Sequence, residues 1–264
     1  MAKTKAKHPT LLDLVALSGF ERPQNLIHLF VGGSELHGAK IGKTDDTDLY
    51  GVYMEDPAHA LGLEPREHFV WSTAGDERRN GPDDVDVTLY SLRKWAGMAA
   101  KGNATALHFL FAEPREVAPE TWQTIQAGRA LFLARASARQ FLGFADDQFK
   151  RLTGEKGSGK KGQRPEHIGK FGYDTKAAMH GLRLLYECLE LMQHRRITLP
   201  RPEKELLIEV RSGAWKLDRV LAEAKRLSRE VEESVAISPL PDKVDRNAIS
   251  ELISHVHLEF WKRH

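Results

Sequence analysis

The sequence predicts an α+β protein, a small mixed sheet in the N-terminal half followed by a helical C-terminal region. Three observations carry this. Between Asn25 and Tyr90 the apolar residues come in short runs or alternate, broken by Gly, Pro and Asp, which is the texture of strands and turns. Beyond Ser91 they recur at three- and four-residue intervals, the spacing of one helix face. The two textures follow one another instead of alternating along the chain, so strands and helices are segregated.

Each element has a local reason. "NLIHLFVGG" is an apolar run ended by glycines and reads as a buried strand. "TDLYGVYME" sets Leu49, Gly51 and Tyr53 against Tyr50, Val52 and Met54, and "DVDVTLY" sets Val85, Val87 and Leu89 against Asp84, Asp86 and Thr88; both are strand patterns. The polar "STAGDERRNGPDD" reads as a loop. Leu92, Trp95, Ala96 and Ala99 open the helical half, Lys101-Gly102 stops that helix, and Asn103 can cap the next. Further helices are predicted over Pro119–Gln126, Arg129–Phe144, Tyr173–His194, Pro202–Arg211, Trp215–Val235 and Arg246–Trp261. "TGEKGSGKKGQRPEHIGKFG" is a basic, glycine-rich interruption.

Composition narrows the class. With 264 residues, 41% hydrophobic and 29% charged, the chain is globular, not disordered. No apolar stretch nears the ~20 residues that span a bilayer, so no membrane partner is expected. "MAKTKAKHPT" lacks the apolar core of a secretory signal and reads as a tail. The lone Cys188 excludes an intrachain disulfide and favours a reducing, cytoplasmic setting. A net charge of +2 does not announce a nucleic-acid binder.

The chemistry concentrates after the first strand. Gly32-Gly33 permits a tight turn and close approach of a ligand to the backbone, and Ser34 with nearby N–H groups offers an environment for phosphate oxygens. Asp46 and Asp48, two apart at the entry to a strand, share a face, and a third carboxylate on the neighbouring strand, Asp86 or Asp84, can join them. Three converging carboxylates repel one another unless a cation intervenes. Mg²⁺ takes oxygen ligands and is shared between carboxylates and substrate phosphates; two such ions clamp both oxygens of a phosphoryl displacement. The plainer alternative is a loop capped by Asp45 and Asp46 with Asp48 solvated.

Gly33-Ser34, His37-Gly38 and Asp45-Asp46-Thr47-Asp48 with Gly51 resemble the signature of the DNA polymerase beta-like nucleotidyltransferases, and in particular of the predicted nucleotidyltransferase family associated with RNA repair. "DVDVTLYSLRKWAGMAAKGNATALHFLFA", "YDTKAAMHGLRLLYECLELM" and "ITLPRP…LLIEVRSGAW" are similar to later segments of that family, so the resemblance runs from about Leu26 to Trp215. Three positions depart from it: Asp45 replaces a serine, Ala104 a proline, and His108 stands where a glutamate is expected. The resemblance implies that Asp46, Asp48 and Asp86 hold two Mg²⁺ or Mn²⁺ ions, with an NTP, ATP among them, as substrate. The expected organisation is a tail and short helix over 1–24, a nucleotidyltransferase core over 25–115, and a helical region over 116–264 that completes the nucleotide site, with the basic loop at 153–172.

Lys176, His180 and Arg183 lie at i, i+4 and i+7 and share a helix face. Spacing alone fits a solvated face with Arg183 paired to Glu187; the resemblance assigns the stripe to the triphosphate. Lys94 is either a surface lysine or a pocket residue, and Asn103 either an N-cap or a pocket residue. "GEKGSGKK" nearly matches a phosphate-binding loop but has Lys161 where a hydroxyl is required, and it follows a helix instead of a strand. Its basic surroundings suit an RNA backbone. The histidines suggest zinc, but no cysteine pair exists and His255 and His257 diverge on a helix, so no structural zinc site is expected. The expected reaction is NMP transfer to an acceptor hydroxyl, an RNA 3′ end being one candidate. A protein or small-molecule acceptor and a non-catalytic nucleotide or RNA sensor remain open, as does the oligomeric state.

Overall fold

The computed structural model describes residues 9–42, 45–75, 80–152 and 165–263. Thr10 forms a capping box, its side chain and that of Asp13 each bonding the other's backbone N–H, and so starts α1 (Leu11–Leu17). Strands β1 (Leu26–Val31), β2 (Thr47–Tyr53), β3 (His68–Ser72) and β4 (Val85–Ser91) form one sheet in the order β1-β2-β4-β3. β2 and β4 are parallel and the outer pairs antiparallel, so the sheet is mixed. Short helices α2 (Gly33–Leu36) and α3 (Pro57–Leu61) lie in its connections.

The helical half follows with α4 (Leu92–Ala99), α5 (Ala104–His108), α6 (Glu120–Ala127), α7 (Ser137–Leu152), α8 (Pro165–Phe171), α9 (Thr175–His194), α10 (Lys204–Arg211), α11 (Leu217–Ile237) and α12 (Arg246–Arg263). The α+β expectation therefore holds. Three details differ. β3 is an edge strand with Val70 exposed, and so lacks the apolar run that marks a buried strand. The helix expected over Arg129–Phe144 begins only at Ser137, after a 3₁₀ turn at Arg129–Phe132. The basic interruption ends in α8 instead of continuing as loop to Gly172, and its segment 153–164, with the phosphate-loop-like motif, lies outside the described residues.

Both sheet faces are covered. Leu29, Leu49, Val87 and Leu89 pack against Val15 of α1. The opposite face meets the helical body, through Ile27, Phe30 and Val52 with Trp95, Phe109 and Trp122. A register shift between Leu26 and His28 places His28 beside Trp122, rings stacked at 4.3 Å. Burial drives the His28 pKa down to about 3, so this core histidine is neutral. α9 runs through the helical body, packed by α7, α10 and α11. α12 returns to the sheet end of α4, where His257 and Trp261 bond the carboxylate and carbonyl of Glu55, and the same carboxylate accepts Leu92 N–H at the start of α4.

Candidate active site

The alternation of β2 puts Asp48 on the same side as Tyr50 and Val52, the side of the helical body. Parallel pairing sets Asp48 directly opposite Asp86, so both carboxylates point that way. Asp46, one residue before the strand, joins them: ligand oxygens of Asp46, Asp48 and Asp86 all lie within 4.8 Å of one another. The choice between Asp86 and Asp84 resolves geometrically. Asp84 is buried and accepts from Thr73 Oγ1 (2.7 Å) and Gly81 N–H (2.6 Å), holding the turn before β4.

Glycine builds the other side of the acids. Gly33 has φ +56°, and a methyl group there would overlap Asp48 Oδ2. Gly32 N–H donates to the Asp48 carbonyl (2.7 Å), pinning the bend to β2. The Ser34 hydroxyl, expected to face a phosphate, donates to Asp45 Oδ2 (2.7 Å). Asp45 in turn takes a bidentate pair from buried Arg211 of α10, whose Nη1 also donates to Ala39 O (2.8 Å). Burial would raise the Asp45 carboxyl, but the bonds from Arg211 and Ser34 hold it below its ordinary value. The unusual aspartate thus ties the glycine bend to α10, and Arg211 balances its charge.

A cleft of about 530 Å³ opens between the bend and α9, with Gly33, Ser34, Asp46 and Asp48 on one wall and Lys176, His180 and Arg183 on the other. Burial, then Asp46 and Asp86, raise the Asp48 carboxyl to about 6, against the pull of Lys176. Arg183 does pair with Glu187 (2.8 Å), but the face is not solvated: Glu187 is fully buried. The same Nη1 donates to His37 Nε2 (2.9 Å). A guanidinium has no acceptor, so Nε2 accepts and His37 carries its proton on Nδ1, 3.3 Å from Glu187 Oε1. His108 Nε2 lies 3.1 Å from Glu187 Oε2. Burial alone would raise Glu187, yet Arg183, His108 and His37 hold it well below the usual carboxylate range. His37 is lowered well below its ordinary value, by burial first and by Arg183 next.

Lys94 and Asn103 are absent from the cleft lining. Lys94 Nζ pairs with Glu67 Oε2 (2.8 Å), and Asn103 Oδ1 caps α5 by accepting Ala106 N–H (3.0 Å). For both, the structural alternative is the one realised. Sequence reasoning missed Glu187 as the hub of the α9 wall, and missed Asn80, whose Nδ2 donates to Asp46 and Asp86. Nothing in the polar loop pattern distinguishes Asn80 from its neighbours.

Among the described residues, two groups hold ligand-type atoms close enough for a metal ion: Asp46, Asp48 and Asp86, and His37, His108 and Glu187. They differ in fit. The first is all oxygen, suits Mg²⁺ or Mn²⁺, and includes Asp86 Oδ1, buried with no hydrogen-bond partner among the described residues. In the second, the His37 nitrogen facing Glu187 is the protonated one and Arg183 already neutralises the carboxylate, so a cation would meet a proton and a like charge.

No helix among the described residues is long and apolar enough to cross a membrane. An uncharacterized 38.9 kDa protein from the nrdC-mobD intergenic region of Enterobacteria phage T4 is 29% identical over 130 residues, covering 48% of this chain and 38% of that protein's length. A solved nucleotidyltransferase-like protein from Exiguobacterium sibiricum aligns over 84% of this chain and 72% of its own, at 10% identity and a TM-score of 0.30. The model of the RlaP family, described as the RNA repair pathway DNA polymerase beta family, matches residues 8–260, and the chain belongs to this family and so to the DNA polymerase beta-like nucleotidyltransferase superfamily.

Proposed function

We propose that the protein transfers a nucleoside monophosphate from an NTP to an acceptor hydroxyl and releases pyrophosphate. The observation that carries this is the convergence of Asp46, Asp48 and Asp86 beside a cleft whose facing wall is cationic. Asp46, Asp48 and Asp86 would hold the divalent ions, Mg²⁺ or Mn²⁺, which would supply charge neutralisation and activation of the attacking hydroxyl. The acceptor hydroxyl gives up its proton to solvent, its oxygen forms a bond to the α-phosphorus, the bond from that phosphorus to the bridging oxygen breaks, and pyrophosphate leaves with that electron pair. Gly33, which lines the cleft, leaves room for the Asp48 carboxylate beside the nucleotide. Lys176 and Arg183 face the β- and γ-phosphates, Lys176 as a point charge and Arg183 held at a fixed angle by Glu187 and His37. His180 stands on the same wall, where it donates to the leaving pyrophosphate. Catalysis on this reading is positioning and electrostatics.

The acceptor we favour is an RNA 3′ end, on the description of the family and the basic residues around α7 and α8, and the setting is cytoplasmic. Incubation with each α-phosphate-labelled NTP, ATP included, tests the reading in the presence of RNA and Mg²⁺ or Mn²⁺. Label should pass to RNA, and Asp46→Asn and Asp48→Asn should each abolish it. Label on protein or on a small molecule would replace the acceptor. Nucleotide binding without turnover by the intact protein would make it a sensor.

A further inference from the structure

Asn80 sits where the acid cluster needs a positive partner. Its Nδ2 donates to Asp46 Oδ2 (2.8 Å) and to Asp86 Oδ2 (2.6 Å), so both amide protons are spent on two carboxylates that otherwise repel. The turn that follows is fixed: Gly81 N–H and Thr73 Oγ1 both donate to Asp84, and Asp84 N–H donates to Gly81 O (3.1 Å). The backbone from Gly81 to Asp84, directly after Asn80, is thereby pinned.

A cation bound by the same two carboxylate oxygens, at ~2.0–2.1 Å for Mg²⁺, enters the space into which these N–H bonds point. An amide N–H₂ cannot face a cation. A half-turn about χ2, a broad two-fold torsion, exchanges it for Oδ1 at small cost. A carbonyl oxygen is a ligand of the kind that Mg²⁺ and Mn²⁺ accept, and three carboxylates giving one oxygen each leave positions of an octahedral ion to be filled.

We propose that Asn80 is a two-position side chain of the metal site: its amide nitrogen bridges Asp46 and Asp86 in one position, and in the other its Oδ1 turns to a bound divalent cation as a further ligand. This rests on the metal reading of the acid cluster given above. The competing idea, that the amide is simply displaced by the ion, makes the opposite prediction for affinity.

The test is Mn²⁺ binding to the full chain, read by electron paramagnetic resonance from the loss of the free-ion signal. Asn80→Ala should weaken binding about tenfold, the lower end of what lost support at a metal site costs. Asn80→Asp, which presents an oxygen in either orientation, should restore wild-type affinity or better it. Asn80→Ala binding as tightly as wild type, or more tightly, overturns the proposal, as does failure of Asn80→Asp to restore affinity. Failure of a different kind is recognisable: if wild type binds no Mn²⁺, or Asp48→Asn binds it as well as wild type, the metal reading itself falls and the role of Asn80 with it.

Discussion

Asp48→Asn should make the metal-free protein more stable while abolishing turnover. The Asp48 carboxyl is raised from 3.8 to about 6 by burial and by its acidic neighbours. That is a rise of about two pH units, at about 1.36 kcal/mol each, so ionised Asp48 costs the fold about 3 kcal/mol before solvent screening and about 2 kcal/mol after it. The sign follows from linkage. A carboxyl whose folded pKa lies above its unfolded one favours the fold below the unfolded value, and that favour is lost as pH rises through the folded value. An isosteric neutral amide never meets this penalty. In a chelator at pH 8, Asp48→Asn should melt about 4–8 °C above wild type by scanning calorimetry. The gap should close as pH falls from about 6 towards 3.8, where wild-type Asp48 is protonated too. Added Mn²⁺ should raise the wild-type Tm and leave the variant unmoved. An Asp48→Asn Tm equal to or below wild type at pH 8, or a gap that ignores pH, would refute the claim that the three carboxylates strain one another.

Other outcomes follow from the same geometry. Glu187→Gln leaves Arg183 without its buried counter-charge and should cost about 3–5 kcal/mol, seen in denaturant unfolding, because breaking one side of a buried pair strands the other. Asp45→Ser, which installs the residue the family resemblance expects, should cost about 2 kcal/mol by the same measurement, since Arg211 loses its bidentate partner. Lys94→Ala should leave NTP turnover within about twofold of wild type and Lys176→Ala should lower it at least tenfold, an estimate for a lost phosphate contact, because only the second lines the cleft. His28 is neutral with a pKa near 3, so unfolding lets it charge below its ordinary 6.5 and the fold weakens as pH falls. His28→Phe should remove about 3 kcal/mol of the stability lost between pH 7 and 4.5, measured as the Tm difference between those pH values.

Much of the fold was legible because its signals are local. Alternation in "DVDVTLY" placed Asp86 and Val87 on opposite faces, but the parallel pairing that sets Asp86 opposite Asp48 has no local signal and came from the structure. The long helices α9, α11 and α12 carried their own periodicity. β3 did not, since an exposed edge strand has no apolar face to advertise. The acids and the Lys176, His180 and Arg183 stripe were visible at short spacing. The partners that tune them were not. Glu187 is 150 residues from His37 and 79 from His108, and Arg211 meets Asp45 across 166 residues. In sequence each is an ordinary charged position, and only packing makes Glu187 the acceptor of a guanidinium and of the His108 imidazole, with His37 close by. Lys94 and Asn103 err the other way, because a lysine and an asparagine near a site look alike whether they serve a ligand, an ion pair or a helix cap.

The most direct test of the account is a crystal of the protein soaked in Mn²⁺ and examined at a wavelength where manganese scatters anomalously. Density bounded by the carboxylates of Asp46, Asp48 and Asp86 is the expected result. A peak at His37, His108 and Glu187 in its place, or no peak among the three aspartates at saturating Mn²⁺, would contradict it.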